Sequence, residues 1–190
     1  MTDSNNQTTG PEGAPTDPSD DDSAPEIPQA ILPPGFLRHP VHFLAFGLGS
    51  GAIARAPGTW GSLAAIPLWY LFAWVPAPIY WLVVLLAFVV GIWLCGKTAD
   101  DLKVHDHGGI VWDEFVGMWI ALGLFPDQIY GVLMAFGLFR LFDVVKPWPI
   151  SWLDRRLPGG LGIMVDDVVA GILALVCLYG IDVWVLPVLL

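Results

Sequence analysis

The sequence predicts an all-α, polytopic integral membrane protein: a helix bundle with four to five spans, some of them short or re-entrant, behind a disordered acidic N-terminal tail. Two observations support this fold class. Apolar residues make up 55% of the chain and charged residues only 14%, which is well below the charged share of an average soluble protein. The apolar residues also fall in long runs. Residues 79–96 carry no charge and predict a spanning helix.

The charge distribution divides the chain into two parts, a tail at residues 1–35 and a membrane-embedded domain at residues 36–190. Seven of the eighteen acidic residues lie in residues 1–30, where there is no Lys or Arg, so the tail carries most of the net charge of −10. The tail is rich in Pro, Ser, Thr and Asn and lacks apolar periodicity, which predicts disorder. It also lacks the basic start and apolar core of a signal peptide.

The body of the chain alternates between apolar and breaker-rich stretches. Residues 36–60 contain too many glycines and prolines for a clean span, so we expect a re-entrant or interfacial segment there. Apolar runs at residues 62–75 and 79–96 then flank a Pro-Ala-Pro turn. Polar residues 97–114 follow them, and a last apolar run covers residues 168–190.

Residues 115–145 pose the main topological question. As one helix, this stretch would carry a proline and an aspartate near its middle; as a hairpin, it gives two short helices that turn at residues 126–128. A hairpin returns the chain to its starting side, so the polar loops at 97–114 and 146–167 would share one face. We favour the hairpin, because it allows the two loops to form one site.

Basic residues predict the orientation. Lys and Arg occur in both polar loops and before the first span, but not in the turns at residues 76–78 and 126–128 or at the C-terminus. By the positive-inside rule, we expect the N-terminus and both polar loops on the cytoplasmic side.

Acidic residues cluster in the same two loops. Of the eleven acids after residue 30, nine lie in residues 100–114 and 143–167. An ionised carboxylate at mid-bilayer costs about 2.5–3.5 kcal/mol, so acids in such a chain usually line a polar site or bind a cation. Two adjacent acid pairs, each expected at the start of an apolar helix on the same face, predict a site for Mg²⁺, which prefers oxygen ligands. The pairs are Asp113-Glu114 and Asp166-Asp167. Capping of a helix N-terminus is the alternative role for the first pair, but it needs only one acid.

Titratable residues beside the acid pairs are further candidates. His105, Asp106 and His107 precede the first pair. A zinc site is one alternative, although no cysteine or third histidine stands nearby. The imidazoles could instead donate a proton to a leaving group, orient a carboxylate, or simply be solvated. Arg140 and Asp143 stand one helical turn apart, a spacing that also suits an internal salt bridge.

Basic residues among the acids narrow the class of protein. The alternative function is a cation channel or transporter. It would distribute acids along the bilayer depth, without the basic residues that accompany them here, which are Arg140, Lys146, Arg155 and Arg156. A phosphate ester needs both charges, because acids hold a metal and bases hold phosphoryl oxygens. Since both clusters flank apolar segments, we expect the substrate to be a lipid and expect no nucleic-acid partner. Another lipid-phosphate enzyme, such as a phosphotransferase, is a third option.

Five motifs, in order, resemble those of bacterial phosphatidylglycerophosphatase A. They are Gly49-Ser50-Gly51 with Pro57-Gly58-Thr59-Trp60-Gly61-Ser62-Leu63; Val104-His105-Asp106-His107-Gly108; Ile110-Val111-Trp112-Asp113-Glu114-Phe115; Phe139-Arg140 with Asp143 and Lys146-Pro147-Trp148-Pro149-Ile150; and Gly162-Ile163-Met164 with Asp166-Asp167 and Ala170-Gly171. Together they cover residues 38–180. The resemblance implies a Mg²⁺-dependent, multi-pass enzyme of the bacterial inner membrane, which converts phosphatidylglycerophosphate to phosphatidylglycerol and inorganic phosphate in phospholipid biosynthesis. The acidic tail lies outside the family pattern.

For this reaction we assign provisional roles to the candidate residues. The expected metal ligands are Asp113, Glu114, Asp166 and Asp167. Arg140 and Lys146 are expected to bind the phosphate, and Asp143 to join the metal shell or orient Arg140. Asp106, with His105 or His107, is expected to move the proton. An acyl-phosphate intermediate on one aspartate is an alternative course.

The Gly-rich stretch at residues 47–62 is a further candidate for head-group binding. Its backbone amides, with Ser50, Thr59 and Ser62, could contact the substrate. Tight helix packing explains the glycines equally well.

Overall fold

The computed structural model describes residues 32–104, 106–124, 129–154 and 156–185, which form helices and no strand. The helices are α1 (Pro40–Ala45), α2 (Pro57–Tyr70), α3 (Ala77–Leu102), α4 (Trp112–Ala121), α5 (Ile129–Val145), α6 (Ile150–Asp154) and α7 (Gly159–Gly180). Short 3-10 turns at Phe36–Arg38 and Gly47–Ala52 flank α1, and a π-helical turn at Ile181–Val185 follows α7. The predicted all-α class is confirmed. The predicted disorder of the tail concerns residues that lie almost entirely outside the described ones.

Residues 112–145 form two helices within the described part of the chain, as the hairpin interpretation predicts. α4 ends at Ala121 and α5 begins at Ile129; the expected turn at 126–128 lies outside the described residues. Glu114, near the start of α4, and Arg140, near the end of α5, are 3.9 Å apart between Oε1 and Nη1. The chain therefore reverses direction, and both helices place their charged ends on one side of the bundle.

The long helices alternate in direction through the described bundle. The start of α2 meets α4 at the same charged end, because a methyl group added at Gly58 would lie 2.3 Å from Glu114 Oε1. α5 and α7 also meet there, since Lys146 Nζ donates to Asp166 Oδ2 at 2.7 Å. The N-terminus of α2, the N-terminus of α4 and the C-terminus of α5 are thus brought together.

α3 is longer at its charged end than its apolar run predicts. The helix continues to Leu102, through residues expected to form a polar loop. Thr98 and Ala99 are buried within it, and Lys97 pairs with Asp101 one turn later. Burial of one face and an i,i+4 ion pair on the other explain why the helix persists.

α7 begins at Gly159, nine residues before the expected start of the last apolar run. Asp166 and Asp167 therefore lie about two turns inside the helix, and the expectation that this pair opens the final helix is wrong. Gly160, one of the glycines that suggest a loop, packs against α3 instead: a methyl group added there would lie 1.9 Å from the Ile92 carbonyl oxygen. Close backbone approach, rather than a turn, accounts for this glycine.

α4 is the central helix of the described bundle, and its residues 114–121 are all buried. Indole donors fix it on two sides: Trp112 Nε1 donates to the Ala87 carbonyl of α3 at 3.0 Å, and Trp119 Nε1 donates to the Ala65 carbonyl of α2 at 2.9 Å. On a third side α4 meets α7, where a methyl group added at Gly171 would lie 2.4 Å from the Gly117 carbonyl oxygen. The position of α4 is therefore set by direct backbone contacts.

Two helices of the described chain are long and apolar enough to cross a membrane: Ala77–Leu102, and Gly159–Trp184, which joins α7 to the turn that follows it. Their outer faces expose large apolar residues such as Leu85, Trp93 and Val176. An apolar outer surface of this extent is typical of contact with lipid. α2 and α4 extend over about 21 and 15 Å, less than the roughly 30 Å hydrocarbon core, so four to five spans stays a prediction.

Candidate metal and phosphate site

Carboxylates from two helices converge at the charged end of the bundle. Asp113 and Glu114 lie in the first turn of α4, and Asp167 lies on α7. One ligand oxygen from each lies within 4.8 Å of the others. Glu114 is 9% exposed and Asp167 only 2%, so water screens them poorly. Three of the four predicted metal ligands are therefore brought together.

Two oxygens of this carboxylate cluster, Asp113 Oδ1 and Glu114 Oε2, are buried with no hydrogen-bond partner among the described residues. A buried acceptor without a donor costs about 1–3 kcal/mol, and more when it is charged. Ionised carboxylates at this separation also repel one another. A hard divalent cation such as Mg²⁺ would satisfy the oxygens and neutralise the charge, so these residues fit such an ion.

Asp166, the fourth predicted ligand, is engaged within the chain. Its Oδ2 accepts from Lys146 Nζ at 2.7 Å, and its Oδ1 accepts from the Asp167 amide at 3.1 Å. Its charge still acts on Asp113. The structure therefore places Asp166 at the edge of the carboxylate cluster, where it holds the ammonium group of Lys146.

Arg140 also lies beside the carboxylate cluster. Its Nη1 donates to Asp143 Oδ2, which is the expected internal salt bridge, and lies 3.9 Å from Glu114 Oε1. Its Nε is buried with no partner among the described residues. The charge of Asp143 acts on both Glu114 and Asp167. The Arg140 guanidinium group thus lies beside Glu114, and its Nε has no acceptor among the described residues.

The first turn of α2 borders the site. The sequence predicted that the Gly-rich stretch binds the head group, but gave no sign that it contacts Glu114 and Arg140. A methyl group added at Gly58 would lie 2.3 Å from Glu114 Oε1 and 3.0 Å from Arg140 Nη1. The helix can approach so closely because glycine has no side chain. The N-terminal end of α2, with its partial positive charge, therefore faces the acidic group.

Two of the predicted proton-transfer residues, Asp106 and His107, lie in the loop before α4. His105 is outside the described residues. Asp106 is exposed, and its charge acts on Asp113. His107 is buried: its ring packs against Phe46 with centroids 5.5 Å apart, and its Nδ1 accepts from the Gly109 amide at 3.0 Å. In neutral His107 the proton is therefore on Nε2.

Two of the three hydroxyl groups predicted to contact the substrate, those of Ser50 and Ser62, form hydrogen bonds within the chain. Ser50 Oγ donates to the Gly47 carbonyl and Ser62 Oγ to the Gly58 carbonyl, each at 2.8 Å. Ser62 is fully buried, and Thr59 is half-buried in the first turn of α2. The serine hydroxyls thus stabilise the Gly-rich segment itself.

A buried histidine escaped sequence reasoning, because its partners are far away in the chain. His42 Nδ1 lies 3.1 Å from Thr98 Oγ1, and Nε2 lies 3.3 Å from Asp101 Oδ2. Its ring stacks on Phe36 with centroids 4.0 Å apart. Burial lowers the pKa of His42, and the charge of Asp101 opposes that effect. These contacts attach α1 to the charged end of α3.

The fold and site together define a helical protein with two helices apolar enough to cross a membrane, whose acidic and basic groups suit a metal ion and a phosphate ester. The family model for phosphatidylglycerophosphatase A matches residues 43–182. The chain is 52% identical over 144 residues to phosphatidylglycerophosphatase A of Escherichia coli K12 (75% of this chain, 84% of the relative). It is 48% identical over 152 residues to the Haemophilus influenzae protein of that name (79% and 93%). This chain belongs to the phosphatidylglycerophosphatase A family.

Two further comparisons define the range of similarity. The chain is 39% identical over 162 residues to a provisionally named phosphatidylinositol-3-phosphatase of Bacteroides thetaiotaomicron, covering 80% of this chain and 98% of that relative. No solved structure matches the chain significantly.

Replacing Asp167 by Asn should stabilise the chain when divalent cations are removed. Asp167 is buried, and the charges that act on it are those of Asp143, Asp113 and Asp166. Removing its charge relieves repulsion, and we expect the free energy of unfolding in chelator to rise by about 1–2 kcal/mol. Thermal unfolding in detergent with chelator measures the effect.

Asp101→Asn is the matched control, because Asp101 pairs with Lys97 and its loss should bring no gain in stability. An unfolding temperature that falls in Asp167→Asn would show that the buried carboxylate is satisfied without a cation.

Proposed function

We propose that this chain hydrolyses the terminal phosphomonoester of phosphatidylglycerophosphate, giving phosphatidylglycerol and inorganic phosphate. The observation that supports this most directly is the convergence of Asp113, Glu114 and Asp167 beside Arg140, in a chain of this family. Among the described residues, one oxygen each of Asp113 and Glu114 has no donor, which favours an ion, and Arg140 Nε has no acceptor, which favours an oxyanion.

The carboxylates of Asp113, Glu114 and Asp167 would hold the ion, and we propose Mg²⁺. When bound, it supplies a water of lowered pKa and neutralises phosphoryl charge. Asp166 contributes indirectly, because it fixes Lys146 at the edge of the carboxylate cluster. This arrangement suits Mg²⁺, which usually takes one or two protein carboxylates together with waters and substrate phosphate.

Arg140 and Lys146 would bind the phosphate from the basic side of the site. The guanidinium group can offer two parallel donors to phosphoryl oxygens, and Asp143 holds it in place. The first turn of α2 lies against the same group and adds the partial positive charge of a helix N-terminus. We propose that Gly58 and Thr59 contact the head group through their backbone, with Ser50 and Ser62 supporting that segment.

Proton transfer is assigned to the loop before α4. As the oxygen of water bonds to phosphorus and the bond from phosphorus to the glycerol oxygen breaks, Asp106 would accept the proton of the water. His107 would offer its Nε2–H as a hydrogen bond to the departing oxygen, to which Asp106 passes the proton taken from water, or else hold the loop by its bond to the Gly109 amide. His105 stays a candidate for the same role.

A cation channel or transporter is not favoured. The acids that the structure describes around Asp113 and Asp167 gather at one end of the bundle, together with Arg140 and Lys146. An ion path would need acids along the depth of the helices and no basic residues beside them.

We further propose that the chain is a multi-pass protein of the bacterial inner membrane with its site on the cytoplasmic face. The charged end of the bundle carries Lys97, Lys103 and Arg156, whereas the turn between α2 and α3 exposes Leu71 and Trp74. This asymmetry accords with the positive-inside rule and with an aromatic residue at the opposite interface.

The orientation can be tested with single cysteines in a background without Cys95 and Cys177. Cysteines at Lys103 and Arg156 should both react with a membrane-impermeant maleimide in inverted vesicles and stay protected in intact spheroplasts. A cysteine at Trp74 should show the reverse. Labelling of the Lys103 and Arg156 positions from opposite sides would rule out a shared site.

The proposed metal role can be tested in purified protein. Phosphate release from phosphatidylglycerophosphate should require Mg²⁺ and stop with chelator. Asp113→Asn should lower kcat at least about 100-fold while the protein still folds, because charge stabilisation in the transition state is lost. Asp100→Asn, an exposed change outside the site, should retain turnover. Chelator-resistant hydrolysis, or a near-normal Asp113→Asn enzyme, would contradict the assignment.

Gly58→Ala should impair turnover without unfolding the chain. The added methyl group would displace Glu114 and Arg140, and a shift of about 1 Å can cost on the order of 100-fold in rate. Gly137→Ala is the matched control, since a methyl group there meets nothing within 4 Å and should at most stabilise α5. Steady-state kinetics with thermal unfolding separate the two effects; normal kcat/KM in folded Gly58→Ala would remove the first turn of α2 from the site.

A further inference from the structure

An apolar groove of about 350 Å³ opens on the outer surface of the bundle. α3 and α7 form its walls, and α4 forms its floor. Leu85 and Phe88 line it from α3, Val116 and Ile120 from α4, and Val168 and Ile172 from α7. The proposed hydrolysis makes no use of this groove, although its volume is in the range of ligand sites.

The groove begins beside the carboxylate cluster. Val116 follows Asp113 by three residues, so both lie on the same face of α4, about one turn apart. On α7, Val168 follows Asp167 at nearly the same height along the helix. From Val168 to Leu175, the deepest lining residue of α7, the helix rises by about 10 Å. The groove therefore leads away from the acids along the helices, toward the apolar middle of the bundle.

The position and size of the groove indicate its occupant. Its walls are the two helices of the described chain that are long and apolar enough to cross a membrane, and its rim is open, since Leu85 is 56% exposed and Ile172 45%. A protein partner would require a much larger surface, of about 20–30 residues on each side. A single hydrocarbon chain fits an apolar groove of this volume better than a helix of another subunit.

We propose that this groove binds an acyl chain of the lipid substrate, and that Leu85 and Ile172 determine the chain length accepted. The inference rests on the proposed function, since it takes the head-group phosphate to lie at the carboxylate cluster. A lipid with its phosphate between Arg140 and the acids would place its glycerol near Val116 and Val168. The chain would then extend between Phe88 and Ile172 toward Ile120.

The matched pair Leu85→Trp and Leu86→Trp tests this proposal. The two leucines are adjacent on α3 and equally exposed, at 56% and 55%, but only Leu85 lines the groove. We expect Leu85→Trp to lower kcat/KM for dipalmitoyl phosphatidylglycerophosphate about ten-fold relative to the dihexanoyl lipid, because the indole fills space that the longer chain needs. Leu86→Trp should keep the wild-type ratio.

Ile172→Trp repeats the test from the opposite wall and should change the ratio in the same direction. An unchanged ratio in both groove variants, or an equal change in Leu86→Trp, would overturn the proposal. Failure of the wild-type protein to hydrolyse either lipid would instead contradict the proposed function, and the groove inference with it. A shift in the ratio cannot come from general instability, because lower stability reduces the rates for both lipids together.

Discussion

The backbone contact between α4 and α7 is the constraint on which the site depends. A methyl group at Gly171 would lie 2.4 Å from the Gly117 carbonyl oxygen, and one at Gly117 would lie 2.7 Å from the Asp167 carbonyl oxygen. Only residues without a side chain allow two helices to approach so closely. Because Gly117 follows Glu114 by three residues, the same contact brings Asp113 and Glu114 against Asp167. Packing thus determines where the charges meet.

The packing of α4 against α7 must be stable enough to offset the repulsion between the carboxylates that it brings together. The described cluster contains Asp113, Glu114 and Asp167, with Asp143 and Asp166 beside them, yet the basic side chains paired with it are those of Arg140 and Lys146. Without a cation, the site therefore carries excess negative charge, which water screens poorly because Glu114 and Asp167 are buried. Burial of residues 114–121 of α4 supplies the opposing stability. This balance of charges favours a bound cation at the carboxylate cluster, as proposed above.

The sequence predicted the parts of the site that depend on local patterns. The hairpin followed from turn chemistry and the parity of the polar loops, and the first-turn position of Asp113 and Glu114 followed from an apolar run that begins after them. The predicted start of α7 was wrong. Helix propensity alone suggests a loop at Gly159, Gly160 and Gly162, but the helix already begins at Gly159. In the structure Gly160 contacts the backbone of α3, a tertiary effect that no local pattern reveals.

Side-chain contacts between residues far apart in the sequence could not be predicted either. Nothing near His42 indicated Thr98 or Asp101, and nothing near Gly58 indicated Glu114, because each contact arises only after the helices pack. Lys146 was expected at the phosphate, and the structure pairs it with Asp166, a predicted metal ligand. The sequence identified the charged residues of the site, but packing decides which of them neutralise one another and which are left with unsatisfied atoms.

The burial of residues 114–121 of α4 allows a charged site to lie within an otherwise apolar bundle. α4 does not need a lipid-facing side, so its first turn can direct Asp113 and Glu114 inward while its later residues form core and groove floor. α3 and α7 supply the outer apolar surface instead. Because α3 and α7 provide the lipid-facing surface, the site can stay polar. The groove, about one turn further along α4 and α7, is apolar. A substrate with a charged head and hydrocarbon tails presents the same sequence of surfaces in the same order.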